Sequence, residues 1–403
     1  MSKISPLSQP GFVFLLLAST MTVLAGAALS PALPGMRAAF SDIAHAELWV
    51  KVILTTPGLV IALCAPFVGL LLDKQSKHRL LMVALAAYGV FGSLGYLLHD
   101  SVLALILGRV GLGVAVAFIM IATTTLAGEY FKGPQFGHFM GLQAAFSSFG
   151  GVVFLGVSGM LAELHWTAAF LIYLLAWVVL PGIMLYLKPP DSSKPVAADN
   201  AAIPAEGRQP SRAIALCYAL GFIEVFMLYM IPLHFPFYIQ SFGAVSPAET
   251  GWLIAGMLCI LAITSLNYQR WSRMGHYISL HALGLGGTGA GMLILGLAPS
   301  YGVALAGLAL MGIGLGILRP NLVVWLFSLI ALTERGKVMG GLTTCFFIAS
   351  FAVPFVTQPL IEQFGMTTCF ILLGSGCLVM GILLKLGYWR LTDHQDMSRA
   401  SNG

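Results

Sequence analysis

The stretch VLALILGRVGLGVAVAFIMIA, residues 102–122, decides how the rest of the chain is read. It surrounds one charge, Arg109, with twenty apolar or small residues. An α-helix rises 1.5 Å per residue, so a run of this length spans the roughly 30 Å hydrocarbon layer of a bilayer. The run belongs to an apolar segment near 101–127, and eleven more such segments occur. They lie near 11–35, 48–72, 79–98, 137–161 and 167–187, then near 213–240, 248–268, 278–298, 302–330, 338–361 and 367–388. Six spans, a break and six more spans is the organisation the sequence predicts. The first is expected to be a span and not a cleaved leader, because it is too long and a second span follows at once.

Composition points the same way. Of the 403 residues, 58% are hydrophobic and only 9% are charged, against about 25% charged in a soluble domain. So little charge cannot cover a water-facing surface, which excludes a soluble enzyme, a nucleic-acid binder and a disordered chain. The six cysteines, Cys64, Cys217, Cys259, Cys345, Cys369 and Cys377, fall inside apolar stretches with no C-x-x-C spacing, so they read as small buried hydrophobes. No His, Cys or carboxylate pair has metal-ligand spacing within a span, and no G-x-x-x-x-G-K-[ST] is present, so neither a cofactor nor ATP is expected.

The break runs from Lys188 through Pro189 and Pro190 to Arg212, with five prolines, and reads as a flexible connector. The expected domains are therefore a six-helix bundle over 1–187, a cytoplasmic linker over 188–212, a second six-helix bundle over 213–390 and a tail over 391–403. With both termini in the cytoplasm, sixteen of the 20 Lys and Arg fall on the inner side. Only Arg37 and Lys51 fall outside, and Arg109 and Arg319 lie within spans. That split follows the positive-inside rule and predicts a multi-pass protein of the cytoplasmic (inner) membrane.

Local similarity suggests that the second half duplicates the first. Trp166-Thr-Ala-Ala-Phe170 aligns with Met366-Thr-Thr-Cys-Phe370 at an offset of 200 residues. Asp73-Lys-Gln-Ser-Lys-His78 aligns with Ser272-Arg-Met-Gly-His-Tyr277 at an offset of 199.

The loop Gly69-Leu-Leu-Leu-Asp73-Lys74-Gln-Ser-Lys77-His78-Arg79 resembles the G-x-x-x-D-[RK]-x-G-[RK]-[RK] signature of the major facilitator superfamily, with Ser76 in place of the second glycine and His78 in place of a basic residue. Arg109-Val-Gly-Leu-Gly113 is similar to the R-x-x-x-G signature common among its proton-driven members. Within that superfamily the chain looks most like the twelve-span drug:proton antiporter group. It departs from that group's fifth-span G-x-x-x-G-P-x-x-G-G signature, because Phe154 and Leu155 stand where Gly-Pro would be. The resemblance implies an all-α membrane protein of twelve transmembrane helices in two pseudo-symmetric six-helix bundles around one site near the midplane. It implies alternating access by rocking of the bundles, with Asp73 pairing at a helix end while Lys74, Lys77 and Arg79 bridge the bundles on the inner face.

Charges inside spans are costly, about 2.5–3.5 kcal/mol each on insertion scales, so the few present carry the functional argument. Glu224 lies about eleven residues into the seventh span, roughly 17 Å deep, where it either takes up and releases a proton as access alternates, or is a structural carboxyl paired across the bundle or a neutral acid bonded to a hydroxyl. Arg109, roughly 12 Å into the fourth span, either modulates that proton site, binds an anionic substrate group, or bonds carbonyls of neighbouring helices. Arg319 and Asn321 flank Pro320 in the tenth span, where a bend makes them candidates for substrate contact or gating. Tyr229 joins them as a candidate lining residue, with Trp49, Trp252 and Trp325. His234 and His281 read as span-end residues.

The function expected is proton-coupled export of a small amphipathic molecule by a monomer embedded in the lipid bilayer, with small-molecule substrate and protons as its partners and no nucleic acid. Import of a metabolite, or export of an endogenous product such as a siderophore, is the alternative. A membrane-embedded enzyme would need a catalytic companion for Glu224, which the sequence does not display. A passive channel would need no coupling carboxyl. Two arginines against one acid tilt the expected substrate towards neutral or anionic.

Overall fold

The computed structural model describes residues 9–131, 133–189, 211–273, 275–330 and 334–400. Lys3, Lys132, Lys194 and Arg208, most of the expected connector (190–210) and the last three residues of the expected tail lie outside the described residues. The described chain is helical throughout, as continuous apolar runs in a solvent without hydrogen-bonding groups require. In chain order the helices are α1 (Pro10–Ala27), α2 (Leu33–Ala39), α3 (Ala46–Lys74), α4 (Lys77–Leu97), α5 (Val102–Tyr130), α6 (Pro134–Leu164) and α7 (Leu175–Tyr186). Then follow α8 (Ser211–Tyr238), α9 (Pro247–Leu266), α10 (Tyr268–Ser272), α11 (Tyr277–Leu297), α12 (Tyr301–Ser328), α13 (Arg335–Phe364) and α14 (Met366–Ala400).

Twelve stretches are long and apolar enough to cross a membrane, from Pro10–Ala39 to Met366–Gly387, and each overlaps one of the twelve expected from sequence. The first is longer than expected because Pro31 and Pro34 convert its middle into a short 3₁₀ turn (Ser30–Ala32) before α2 resumes. The sixth begins as a 3₁₀ stretch, Trp166–Leu174. Helix limits repeat at an offset close to 200, with α4 matching α11, α5 matching α12 and α6 matching α13. The second copy of α3 is interrupted at Asn267, which separates α9 from α10.

The described residues form two compact units. The first takes the described part of Met1–Ile203 with Ile231–Ala255 and Phe347–Phe355; the second takes the rest of the chain. In the first unit, α4 offers a row of glycines to bulky rings. A Cβ on Gly89 would fall 2.1 Å from Trp177, and one on Gly95 would fall 2.1 Å from Phe170. These small residues let the sixth span lie close, and the Trp177 indole N–H donates to the Ala86 carbonyl at 3.1 Å. The C-terminal part of α8 is tied in through Ser30, whose hydroxyl donates to the Pro232 carbonyl. In the second unit α11 packs on α12 and α14. A Cβ on Gly314 of α12 would fall 2.3 Å from the Thr288 backbone nitrogen, so the α11–α12 contact depends on the missing side chain.

Gly314→Leu is therefore expected to destabilise the protein by about 1–3 kcal/mol or more through overpacking. Gly302→Ala, which faces open space, leaves stability unchanged. Thermal unfolding in detergent, followed by size-exclusion chromatography, separates the two outcomes.

Candidate functional site

Glu224 sits near the middle of α8, and its side chain is 3% exposed. One turn earlier, Gly221 leaves that face of the helix open. A Cβ there would meet Leu342 at 2.7 Å, Phe346 at 2.8 Å and Leu322 at 3.1 Å. The space lets α12 and α13 close on α8, and Arg319 arrives from α12. Its Nε–H donates to Glu224 Oε1 at 2.7 Å. Phe346 of α13 supports the pair, its ring centre 4.3 Å from the guanidinium carbon.

Both partners retain unused hydrogen-bonding capacity. Glu224 Oε2 is buried and has no hydrogen-bond partner among the described residues. Arg319 spends only Nε on the carboxylate, and its side chain is 44% exposed. Buried polar atoms are nearly always paired, so a free carboxylate oxygen calls for an explanation. Removing one partner of a buried ion pair leaves a charge that costs about 3–5 kcal/mol. Protonation of Oε2 removes the negative charge and frees the arginine. The pair joins two residues that the sequence suggested only separately.

Asn321 lies two residues beyond Arg319, about 200° around the helix, and serves a different set of neighbours. Its Oδ1 accepts from the Tyr268 hydroxyl at 3.1 Å, and its Nδ2 donates to the Tyr277 carbonyl at 2.9 Å. Nδ2 also lies 3.5 Å from His281 Nδ1. Asn321 therefore ties α12 to α10 and α11. Burial, with Tyr277 nearby, holds the Tyr268 phenol above its ordinary pKa, so it remains a donor at physiological pH. Helix α12 continues through Pro320 without interruption. Beside this cluster, at the α9–α10 junction, Ile263, Thr264, Asn267, Arg270 and Trp271 line a cavity of about 360 Å³.

The remaining sequence candidates are placed as follows. Tyr229 is half-buried on α8. Arg109 is 1% exposed in the first unit, its guanidinium carbon 4.8 Å from the Phe170 ring centre and 4.7 Å from that of Tyr173. Among the described residues no carbonyl takes up Nη1 or Nη2; the aromatic wall that α4's glycines admit receives the cation instead. The Gly69–Arg79 segment is not one loop but the end of α3 and the start of α4 with Gln75 and Ser76 between them; there Lys77 pairs with Glu129 at the end of α5, while Lys74 and Arg79 are exposed. Nothing fills the space above Gly69, and the Asp73 side chain lies outside the described residues. Trp325 is buried, whereas Trp49 and Trp252 are largely exposed.

His234 and His281 are fully buried, and His281 lies in the first two turns of α11. Sequence reasoning also missed Phe346, Tyr268, Tyr277 and the cluster around Lys51. Lys51 is completely buried and donates to Glu47 Oε1 at 2.7 Å, and Arg37 lies 3.4 Å from Glu47 Oε2. The i,i+4 spacing of Glu47 and Lys51 was the available signal. Among the described residues, no group of three or more His, Cys, Asp or Glu could hold a metal ion.

Twelve helical stretches long and apolar enough to cross a membrane, with limits that repeat at an offset near 200, define a multi-pass membrane protein. The profile of the Major Facilitator Superfamily matches residues 15–244 and 214–402, and the chain belongs to that superfamily. No curated protein matches it in sequence. Among solved structures it is similar to a bacterial homolog of the human lysosomal transporter Spinster, in an inward-facing and occupied conformation. That match has a TM-score of 0.76 at 12% identity and covers 94% of this chain and 96% of that one. It is also similar to the xylose transporter XylE from E. coli in an inward-open conformation, with a TM-score of 0.73 at 13% identity, covering 93% and 95%. The POT family transporter PepTSo gives a TM-score of 0.73 at 13% identity, covering 96% and 98%. These TM-scores show a shared fold and, at such low identity, the fold alone.

Tyr268→Phe is expected to cost about 0.5–1.5 kcal/mol of stability, the net worth of one hydrogen bond. Asn321→Leu is expected to cost more, because the Tyr268 hydroxyl loses its acceptor and the Tyr277 carbonyl its donor. Thermal unfolding of the two variants checks the order.

Proposed function

We propose that this chain is a proton-coupled secondary transporter of a small amphipathic molecule, with Glu224 as the proton carrier and Arg319 as its internal counter-ion. The observation that carries the reading is the buried, unpartnered Oε2 of a carboxylate whose other oxygen holds an arginine. A proton placed there changes the charge of the pair without moving any backbone. The conformational change it biases is rocking of two bundles, 1–187 and 213–390, joined by the 188–212 connector. Asn321 and Tyr229 would shape the substrate path. Arg109 would tune the field in the first bundle, and Gly69, Asp73, Lys74, Lys77 and Arg79 would govern the inner gate. The distribution of basic residues supports an inner-membrane monomer with cytoplasmic termini.

Direction depends on how proton and substrate share the pair. Competition for it gives antiport and export, the direction implied by the resemblance to the drug:proton group. Binding together gives uptake, or import of a metabolite in the sense of the alternative reading.

Everted membrane vesicles given one cationic, one anionic and one neutral amphipathic fluorophore test the coupling. An imposed pH gradient is expected to redistribute at least one of them in the wild type. Glu224→Gln should abolish that response by about tenfold or more, a typical site-to-site coupling, while leaving passive exchange intact. Gradient-driven transport of unchanged pH dependence in Glu224→Gln would rule out the proposed carrier.

A further inference from the structure

We infer that the substrate carries an anionic oxygen group which docks on the Nη edge of Arg319, and that it travels together with the proton on Glu224. The inference rests on the reading of Glu224 as proton carrier and adds the class of substrate and the sense of coupling.

The first support is the distribution of charge. Glu224 is the only acid in the twelve spans more than about one turn from a helix end. Glu47, Asp73, Glu129, Glu163, Glu249 and Glu362 all lie in first or last turns. A cationic substrate entering this depth would need a free carboxylate, and the only one is already held by Arg319 at 2.7 Å. The basic side is in excess at depth, with Arg319 and the buried Arg109.

The second support is the geometry of the guanidinium. Nε faces Glu224, one face of the plane lies on Phe346, and neither Nη makes a hydrogen bond to the described residues. What stays open is the flat edge carrying the Nη N–H groups. That edge matches two oxygens of a carboxylate, sulfonate or phosphate in a bidentate contact, which a hydroxyl or an ammonium group cannot form.

Charge balance then fixes the coupling. The empty pair, carboxylate with guanidinium, is neutral. A proton alone leaves +1 on Arg319, and an anion alone leaves −1 at the pair. Proton and anion together restore neutrality. A bare charge in mid-span is disfavoured by roughly 100-fold, so only the empty and the doubly loaded forms cross between inward and outward access. A proton from the aqueous phase binds Glu224 Oε2, and the acid no longer neutralises Arg319. The anion takes its place at the Nη edge. On the opposite side both leave, and Glu224 and Arg319 pair again. Proton and anion therefore move in the same direction, so an inward proton gradient drives uptake and not the export implied by the family resemblance.

The test uses the purified full chain with three compounds on one ring: naphthalene-2-sulfonate, naphthalene-2-sulfonamide and a naphthyl-trimethylammonium ion. Binding is followed by thermal shift at pH 5.5 and 8, and transport by uptake into proteoliposomes under an imposed pH gradient. The sulfonate alone should bind, more tightly at the lower pH, and should accumulate when the outside is acid. Arg319→Gln should weaken its binding by about 10- to 100-fold, the worth of a hydrogen-bonded charge. Glu224→Gln should bind it equally well at both pH values but without gradient-driven accumulation. The double variant Glu224→Gln/Arg319→Gln, a neutral pair, should fold and bind none of the three. Binding of the ammonium ion or the sulfonamide but not the sulfonate, sulfonate binding indifferent to Arg319→Gln, or binding of no compound overturns the anionic class. Gradient-driven accumulation that persists in Glu224→Gln overturns the proton-carrier reading instead, so the two failures are distinguishable.

Discussion

A carboxylate and a guanidinium 2.7 Å apart in the middle of two apolar helices impose a condition that the rest of the second unit satisfies. Neither ion is tolerable alone at that depth, so the helices that carry them must stay within reach of each other. Gly221 makes the approach possible by giving up a side chain where Leu322, Leu342 and Phe346 crowd in. Phe346 then covers one face of the arginine. The hydrogen-bonding capacity left over, one carboxylate oxygen and one guanidinium edge, is what a proton and an anion would use.

The two halves share a helical plan but not a chemistry. In the first half, the buried cation Arg109 lies against the rings of Phe170 and Tyr173, which pack on α4 where that helix carries glycines. In the second half the glycines of α11 and α12 face each other, and the cation further along α12 has an acid for a partner. Arg319 is not the repeat image of Arg109, since the offset of 200 leads to Ala309. The helix limits repeat between the halves, while among the described residues the Glu224–Arg319 pair has no counterpart at the matching positions of the first half. Asn321 shows the same specialisation, anchoring α12 to a short helix, α10, that exists because the second copy of α3 breaks at Asn267.

Much of this was legible before any coordinates. All twelve membrane-crossing stretches follow from apolar run length, because a bilayer leaves the backbone no alternative to continuous helix. Depth within those runs singled out Glu224, Arg109 and Arg319. The pairing of Glu224 with Arg319 was not legible, because two residues 95 positions apart meet only through the way α8 packs on α12, and no local period reports that. The burial of His234 and His281 was not legible for the same reason, since it comes from packing by other helices. Lys51 was read from its side of the membrane alone, while Glu47 one turn away had already marked it as a paired charge.

The central claim, that the coupling proton resides on Glu224, is tested most directly by infrared difference spectroscopy of the purified protein during a pH titration. A carboxylic-acid carbonyl band that appears on acidification in the wild type and is absent in Glu224→Gln is the predicted result. A band of equal intensity in both proteins would place the titrating proton elsewhere and contradict the account.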